Sequence, residues 1–219
     1  MKLFGKTVKM PSFLLDSPVP FRMMRSKVIP GQQRIIGVIG TGRCVGVTHF
    51  AIMAAGYLSG VKRRRCAVLE WNSSGTYERL RTCCMAGKRG GDGSCFAVLD
   101  VDYFGAAGAE ALRLCKKRRY HDVIVDYGAI SEEKWGEFLR CDRQFVIGNV
   151  TEWQIGAFLE AAGTWKKAEI SWETLTVFGS EEARKSMEEA LKLPIRRIPV
   201  SVDVFHVTGE IIRFYQQIL

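Results

Sequence analysis

Histidine, acidic charge and long apolar runs are all scarce in this chain of 219 residues. No apolar run approaches the ~20 residues that a helix needs to cross a bilayer, which excludes a helical membrane span. The start, Met1 to Lys27, carries Lys2, Lys6 and Lys9 but no continuous apolar stretch behind them, so it does not read as a signal peptide. The three histidines, His49, His121 and His206, are scattered, and no Ser/His/Asp nucleophile set can be argued from their spacing. The seven cysteines include no pair at C-x-x-C spacing, which argues against a zinc site. An odd number of cysteines over a long chain also argues against a disulfide framework. Reduced thiols in a cytoplasmic protein are the simpler expectation.

The acidic deficit is 23 Asp and Glu against 32 Lys and Arg, a formal charge of +9. The excess gathers at Lys62-Arg63-Arg64-Arg65 and at Lys116-Lys117-Arg118-Arg119. Basic clusters of this kind can contact DNA or the inner face of a membrane from its periphery. Each cluster also stands just before an apolar run, and a solvated loop ahead of a buried strand is the preferred reading. With 47% apolar and 25% charged residues the chain is globular and long enough for a sizeable core. Trp153, Trp165 and Trp172 lie near Lys166 and Lys167, but at this spacing they read as core and edge residues rather than a base-stacking surface.

What the sequence does contain is an apolar strand running into a glycine-rich turn and then a helix: Ile35-Ile36-Gly37-Val38-Ile39-Gly40-Thr41-Gly42-Arg43-Cys44-Val45-Gly46-Val47-Thr48-His49-Phe50. That arrangement presents backbone N–H groups and a helix N-terminus to a phosphate. Alternation continues to the end of the chain. Strands are expected at 34–39, 66–71, 95–99, 122–126, 143–149, 172–178 and 195–200. Helices are expected at 47–59, 77–85, 106–118, 132–141, 152–162, 181–191 and 208–218. Strands and helices in alternation predict an α/β fold, a mostly parallel, doubly wound sheet with helices on both faces. Ligands of such folds sit at the carboxyl ends of the strands. Residues 1–33, with Pro11, Pro18, Pro20 and Pro30 and no periodicity, read as an N-terminal extension, and 34–219 as one domain. The glycine-rich segment 87–93 reads as a lid or partner surface. The last helix carries a single basic residue, Arg213, and is expected to dock on its own domain rather than on a membrane.

From about Arg34 onward, this order of elements resembles the MinD/ParA family of deviant P-loop ATPases. That family includes the CpaE/TadZ-type proteins that place Tad (Flp) pilus machinery. The general loop pattern is G-x-x-x-x-G-K-[ST]. Here the frame reads Thr41, Gly42, Arg43, Cys44, Val45, Gly46, Val47, Thr48. Val45, Gly46 and Thr48 match. Thr41 replaces the first glycine, Gly42 stands where the family has an additional dimer-bridging lysine, and Val47 replaces the P-loop lysine. That lysine is a point charge on the phosphates, and a valine cannot replace it. Arg43 either supplies positive charge from a shifted position or faces solvent.

The resemblance implies ATP or ADP bound with Mg²⁺ by Gly42 to Thr48, with His49 next to them. Asp126, in the apolar run Asp122-Val123-Ile124-Val125-Asp126, matches the Walker B aspartate that holds magnesium together with the Thr48 hydroxyl. Glu70 and Asn72, in Leu69-Glu70-Trp71-Asn72, stand at the two aspartates that orient the attacking water. Pro199 and Asp203, in Ile198-Pro199-Val200-Ser201-Val202-Asp203, match a segment near the base. Val177-Phe178-Gly179-Ser180 lacks the asparagine that often reads adenine. The implied partners are a second copy of the chain and proteins of a secretion, pilus or positioning system, with hydrolysis weak or absent. Blander readings remain for single residues: Glu70 paired with an arginine, His49 packed locally, Pro199 ending a strand. Two alternatives for the whole chain stand beside this one. The first is a scaffold that needs no nucleotide. The second is an NAD(P)-binding Rossmann protein, because Gly40-Thr41-Gly42 opens a dinucleotide-like turn and Glu70 closes the second strand.

Overall fold

The computed structural model describes residues 2–3, 6–7, 33–84, 95–105, 107–165 and 172–219. Near the start, β1 (Lys2–Leu3) pairs antiparallel with β2 (Lys6–Thr7). The rest of the expected extension up to residue 32 and the segment 87–93 lie outside the described residues. The alternation then runs β3 (Arg34–Gly40), α1 (Val47–Gly56) with a π-helical turn at Tyr57–Val61, β4 (Cys66–Glu70), α2 (Thr76–Cys84), β5 (Phe96–Val98) and β6 (Val101–Phe104). It continues with α3 (Ala109–Lys117), β7 (Asp122–Ala129), α4 (Glu132–Phe138), β8 (Arg143–Ile147), α5 (Ile155–Trp165), β9 (Glu173–Thr176), α6 (Glu181–Leu191), β10 (Ile195–Arg197) and α7 (Gly209–Ile218).

Eight strands form one sheet in the order β10-β9-β8-β3-β7-β4-β6-β5. All neighbours are parallel except β5 and β6. The expected α/β class and doubly wound sheet are therefore observed. The glycine-rich turn leaves the carboxyl end of β3, a central strand with β7 on one side and β8 on the other.

Alternating side chains divide the core between the two faces of the sheet. Ile36 and Val38 of β3 point to the face covered by α1, α2 and α7, where Phe50, Tyr57, Tyr77 and Tyr215 are buried. Ile39 points to the other face, under α3, α4, α5 and α6, with Cys115, Phe138, Phe158 and Met187. The last helix docks as expected: Ile211, Phe214, Tyr215 and Ile218 are buried, and the Tyr215 hydroxyl donates to the Phe50 carbonyl at 3.0 Å. Arg34 and Arg143 donate to the carbonyls of Leu219 and Ile218, at 2.8 and 2.7 Å, and tie the chain end to the amino edge of the sheet.

The strand β6 is not among the expected elements. A two-residue turn, Leu99-Asp100, joins it to β5, and both residues have positive φ (48° and 61°). That backbone favours Gly or Asn, and neither is present to announce a hairpin. Because β6 occupies the chain to Phe104, α3 starts at Ala109 rather than at 106. β7 also runs three residues past Asp126. An extra residue is taken up between the pairs Val38–Asp126 and Gly40–Ala129, where Gly128 has φ 64°.

The two basic clusters meet at the amino edge of the sheet, opposite the turn. Arg64 and Arg34 both pair with the fully buried Asp122. Arg65 donates to the Arg118 carbonyl at 2.6 Å and stacks over Tyr120 at 4.4 Å. Lys62, Arg63, Lys116, Lys117 and Arg119 are exposed. The arginines thus serve partly to hold buried strand ends. All seven cysteines are free thiols. Among the described residues, no helix is long and apolar enough to cross a membrane.

Candidate functional site

The turn after β3 is fixed at both ends by backbone bonds. Thr41 N–H donates to the Ile147 carbonyl at 2.8 Å, and the Gly40 carbonyl accepts from Ile130 N–H at 2.8 Å. Thr41, in place of the expected glycine, buries its side chain against Gly148, where a Cβ would meet Thr41 at 2.8 Å. The neighbouring strand end supplies the glycine that the loop gave up. Cys44 (φ 58°) and Gly46 (φ 107°) both adopt the left-handed region and turn the chain into α1. Gly46 caps α1 without any side-chain hydrogen bond, and the first turn of α1 carries no acidic residue. The leading N–H groups of a helix have no intrahelical acceptor, so this end is open to an anion.

Val47, where a P-loop has lysine, is buried in the core with Val45. Both lie against Gly40, where a Cβ would stand 2.6 Å from Val45 Cγ2 and 2.8 Å from Val47 Cγ2. Arg43 and Cys44 are exposed. Gly42 to His49 line one side of a cavity of about 660 Å³. Asn72, Ser73, Ser74, Thr76 and Arg79 close a second side, and Gly128, Ala129 and Lys134 a third.

Asp126 lies beneath this cavity, fully buried. Its carboxylate accepts from the Thr48 hydroxyl at 2.6 Å, the Asn72 amide at 3.0 Å, Gly128 N–H at 2.9 Å and the Tyr77 hydroxyl at 3.2 Å. Burial pushes its pKa up, while the donors from Thr48, Gly128 and Tyr77 pull it down. The charge of Glu70 adds to the rise. Thr48 and Asp126 present hard oxygen donors side by side, the chemistry that suits magnesium. A Cβ on Gly128 would stand 3.0 Å from the Asn72 Cβ, so this glycine lets β7 approach the residue that holds Asp126.

Asn72 therefore joins Thr48 and Asp126 at the cavity. Glu70 is placed differently. It is buried at the end of β4, and its Oε1 accepts from Thr76 N–H at 2.6 Å, the Ser74 hydroxyl at 2.7 Å and Tyr77 N–H at 3.4 Å. It acts as an anchor for the first turn of α2 and does not line the cavity.

On the other side of the loop, Cys44, Gly46 and His49 face Val177, Phe178 and Ile198 to Ser201 across a smaller cavity of about 110 Å³. Pro199 lines it. Asp203 does not; its carboxylate accepts from Phe205 N–H at 2.9 Å and shapes the loop. His49 is pushed below its usual pKa by burial, offset by a Ser201 backbone hydrogen bond and by the charge of Asp203. The asparagine missing from 177–180 has a counterpart one strand away. The buried Asn149 accepts from Val177 and Phe178 N–H at 3.3 and 3.2 Å and donates to Gln154 at 3.0 Å. Its side chain fixes the rim of the small cavity.

Asn149, Tyr77, Arg79 and Lys134 were not among the residues singled out in the sequence. Each comes from an element other than the one that carries the recognisable pattern, and only the fold brings them in. The dinucleotide alternative loses its geometry here. A Rossmann sheet sets the first and second strands side by side, whereas β7 lies between β3 and β4, and Glu70 is committed to α2.

No protein-family model matches the sequence, and no curated protein matches it. Solved structures do match in fold. One is a plasmid partition protein from Borrelia burgdorferi bound to AMPPNP, at 15% identity, with 86% of this chain and 97% of that one covered and a TM-score of 0.59. Another is the septum site-determining protein MinD from Pyrococcus horikoshii complexed with Mg-ADP, at 12% identity, 85% and 94% coverage and a TM-score of 0.54. A third is the MinC:MinD cell division complex of Aquifex aeolicus, at 13% identity, 82% and 86% coverage and a TM-score of 0.55. The chain has the fold of the ParA and MinD ATPases.

Proposed function

We propose that this chain is a MinD/ParA-like protein that binds ATP or ADP with magnesium at the turn Gly42 to Thr48 and holds it with little or no hydrolysis. The observation that carries the reading is the joining of three features in one cavity. These are an uncapped helix N-terminus, the Thr48 hydroxyl bonded to the buried Asp126 beneath, and a lining that holds three cations and no carboxylate. The nucleotide-bound relatives by fold, one with AMPPNP and one with Mg-ADP, support the choice of ligand.

The expected roles follow from chemistry. Backbone N–H groups of the loop would hold the phosphates, Thr48 and Asp126 the metal, and the small cavity by Pro199 the base. Bound magnesium would neutralise phosphate charge. Turnover is poorly served: Val47 carries no charge, Asn72 is an amide that cannot take a proton, and the Glu70 carboxylate is bound to α2. A protein that holds nucleotide without spending it fits a dimerising positional or assembly factor. Placement within a Tad pilus system rests on the sequence resemblance alone.

Equilibrium titration with MgATP and with NADH, side by side with sedimentation, tests this. Saturable MgATP binding that promotes a dimer supports the reading. Dimers that ignore nucleotide, with no binding, would leave the scaffold alternative in its place.

A further inference from the structure

The cavity of the proposed function is lined by three cations, Arg43, Arg79 and Lys134. Among the described residues none of the three forms an ion pair, although ten ion pairs occur elsewhere. Arg43 and Arg79 are exposed, so water and salt screen them. Lys134 is half-buried. It sits in the first turn of α4, and its side chain slants back toward the helix start, which leads it to the carboxyl end of β7. There its ammonium donates to the Tyr127 carbonyl at 2.9 Å and approaches the Ala129 carbonyl at 3.5 Å. Ala129 is the neighbour of Gly40 across the β3–β7 pairing, and the next residue, Ile130, donates to the Gly40 carbonyl. The ammonium therefore stands beside the base of the loop that lost its lysine.

We propose that Lys134 is the phosphate-binding cation of this site and takes over from α4 the task that position 47 has given up. The inference rests on the nucleotide reading above. An ammonium has three donors. The two carbonyls fix its position and leave donor capacity directed at the cavity. A point charge in this half-buried place acts on an anion with less screening than one on the exposed loop. Lys134 and Thr48 line the same cavity. Val47 can then remain apolar and pack in the core, as it does. Under this assignment the loop supplies N–H groups, and the charge arrives from the far wall.

The test is calorimetric titration of the full chain with MgATP, comparing wild type with Lys134→Met and Lys134→Gln, each checked for an unchanged unfolding temperature. Loss of a charge-assisted phosphate contact predicts affinity lower by about tenfold or more, together with a weaker dependence of affinity on KCl concentration. Adding Val47→Lys to Lys134→Met should recover affinity. If wild type binds MgATP and both variants bind it equally well with the same salt dependence, Lys134 has no such role and this inference alone falls. If wild type binds no nucleotide, the functional reading falls and takes this inference with it.

Discussion

The Thr48 hydroxyl donates to Asp126 Oδ2 at 2.6 Å, joining the first turn of α1 to the middle of β7. Two neighbouring central elements thereby point their oxygens to one spot under the glycine-rich turn. Thr48→Ala should weaken magnesium-dependent ATP binding by about tenfold, with little change in the absence of the metal. Calorimetry with and without magnesium measures both.

The same carboxylate makes a pH prediction. Burial is the main cause of the raised Asp126 pKa. A raised value means that the folded state keeps its proton over a window in which the unfolded chain has lost it. Stability from this group is therefore greatest at low pH and declines as pH rises through the range just above ordinary carboxylate values. Asp126→Asn removes that dependence, so the stability of wild type relative to this variant should fall across the window. Magnesium competes with the proton, so its stabilising effect on wild type should grow over the same range. Thermal unfolding across pH, with and without magnesium, reads both trends.

Gly40 has no room for a side chain. An added methyl would press on Val45 and Val47 and come within 3.0 Å of the Gly42 carbonyl. Gly40→Ala should cost about 1–3 kcal/mol of stability through overpacking and should shift the loop. Denaturant unfolding measures the loss.

Glu70 separates a structural role from a catalytic one. Its carboxylate accepts from two backbone N–H groups and one hydroxyl at the start of α2. Glu70→Ala should cost about 1–3 kcal/mol by leaving those donors unpaired. Urea unfolding should register that loss, while any slow ATP hydrolysis changes no more than the folded fraction does. A selective loss of turnover at full stability would return Glu70 to the catalytic role.

The carboxyl-terminal helix gives a fifth case. Removing residues 215–219 takes away the buried Tyr215 and Ile218 and the carbonyls held by Arg34 and Arg143. Each large buried side chain lost costs about 2–5 kcal/mol, so the truncated chain should unfold at room temperature or close to it. Circular dichroism decides this. A folded truncation that merely lost binding to anionic liposomes would instead make α7 a membrane anchor.

The parallel sheet was legible because strands such as 122–126 and 143–147 carry short apolar runs, 123–125 and 145–147, each followed by a helix. The loop was legible because it is rich in glycine, of which Gly46 takes left-handed backbone and Gly40 leaves no room for a side chain. β6 was hidden by a turn at Leu99-Asp100 that uses left-handed backbone without glycine or asparagine. Lys134, Arg79, Tyr77 and Asn149 were hidden for another reason. No local pattern distinguishes a helix-surface lysine that will face a loop nearly ninety positions earlier from one that will face water. The Glu70 capping contact is similar, since strand end and helix start meet only after the turn between them closes.

If the N–H groups from Gly42 to Thr48 hold phosphate without a loop lysine, MgATP must protect them, and amide hydrogen exchange of the full chain with and without MgATP reads this. Exchange should slow most at residues 42–48, with smaller slowing beside Lys134 and Pro199. Unchanged exchange in 42–48 at saturating MgATP would show that the loop holds no phosphate.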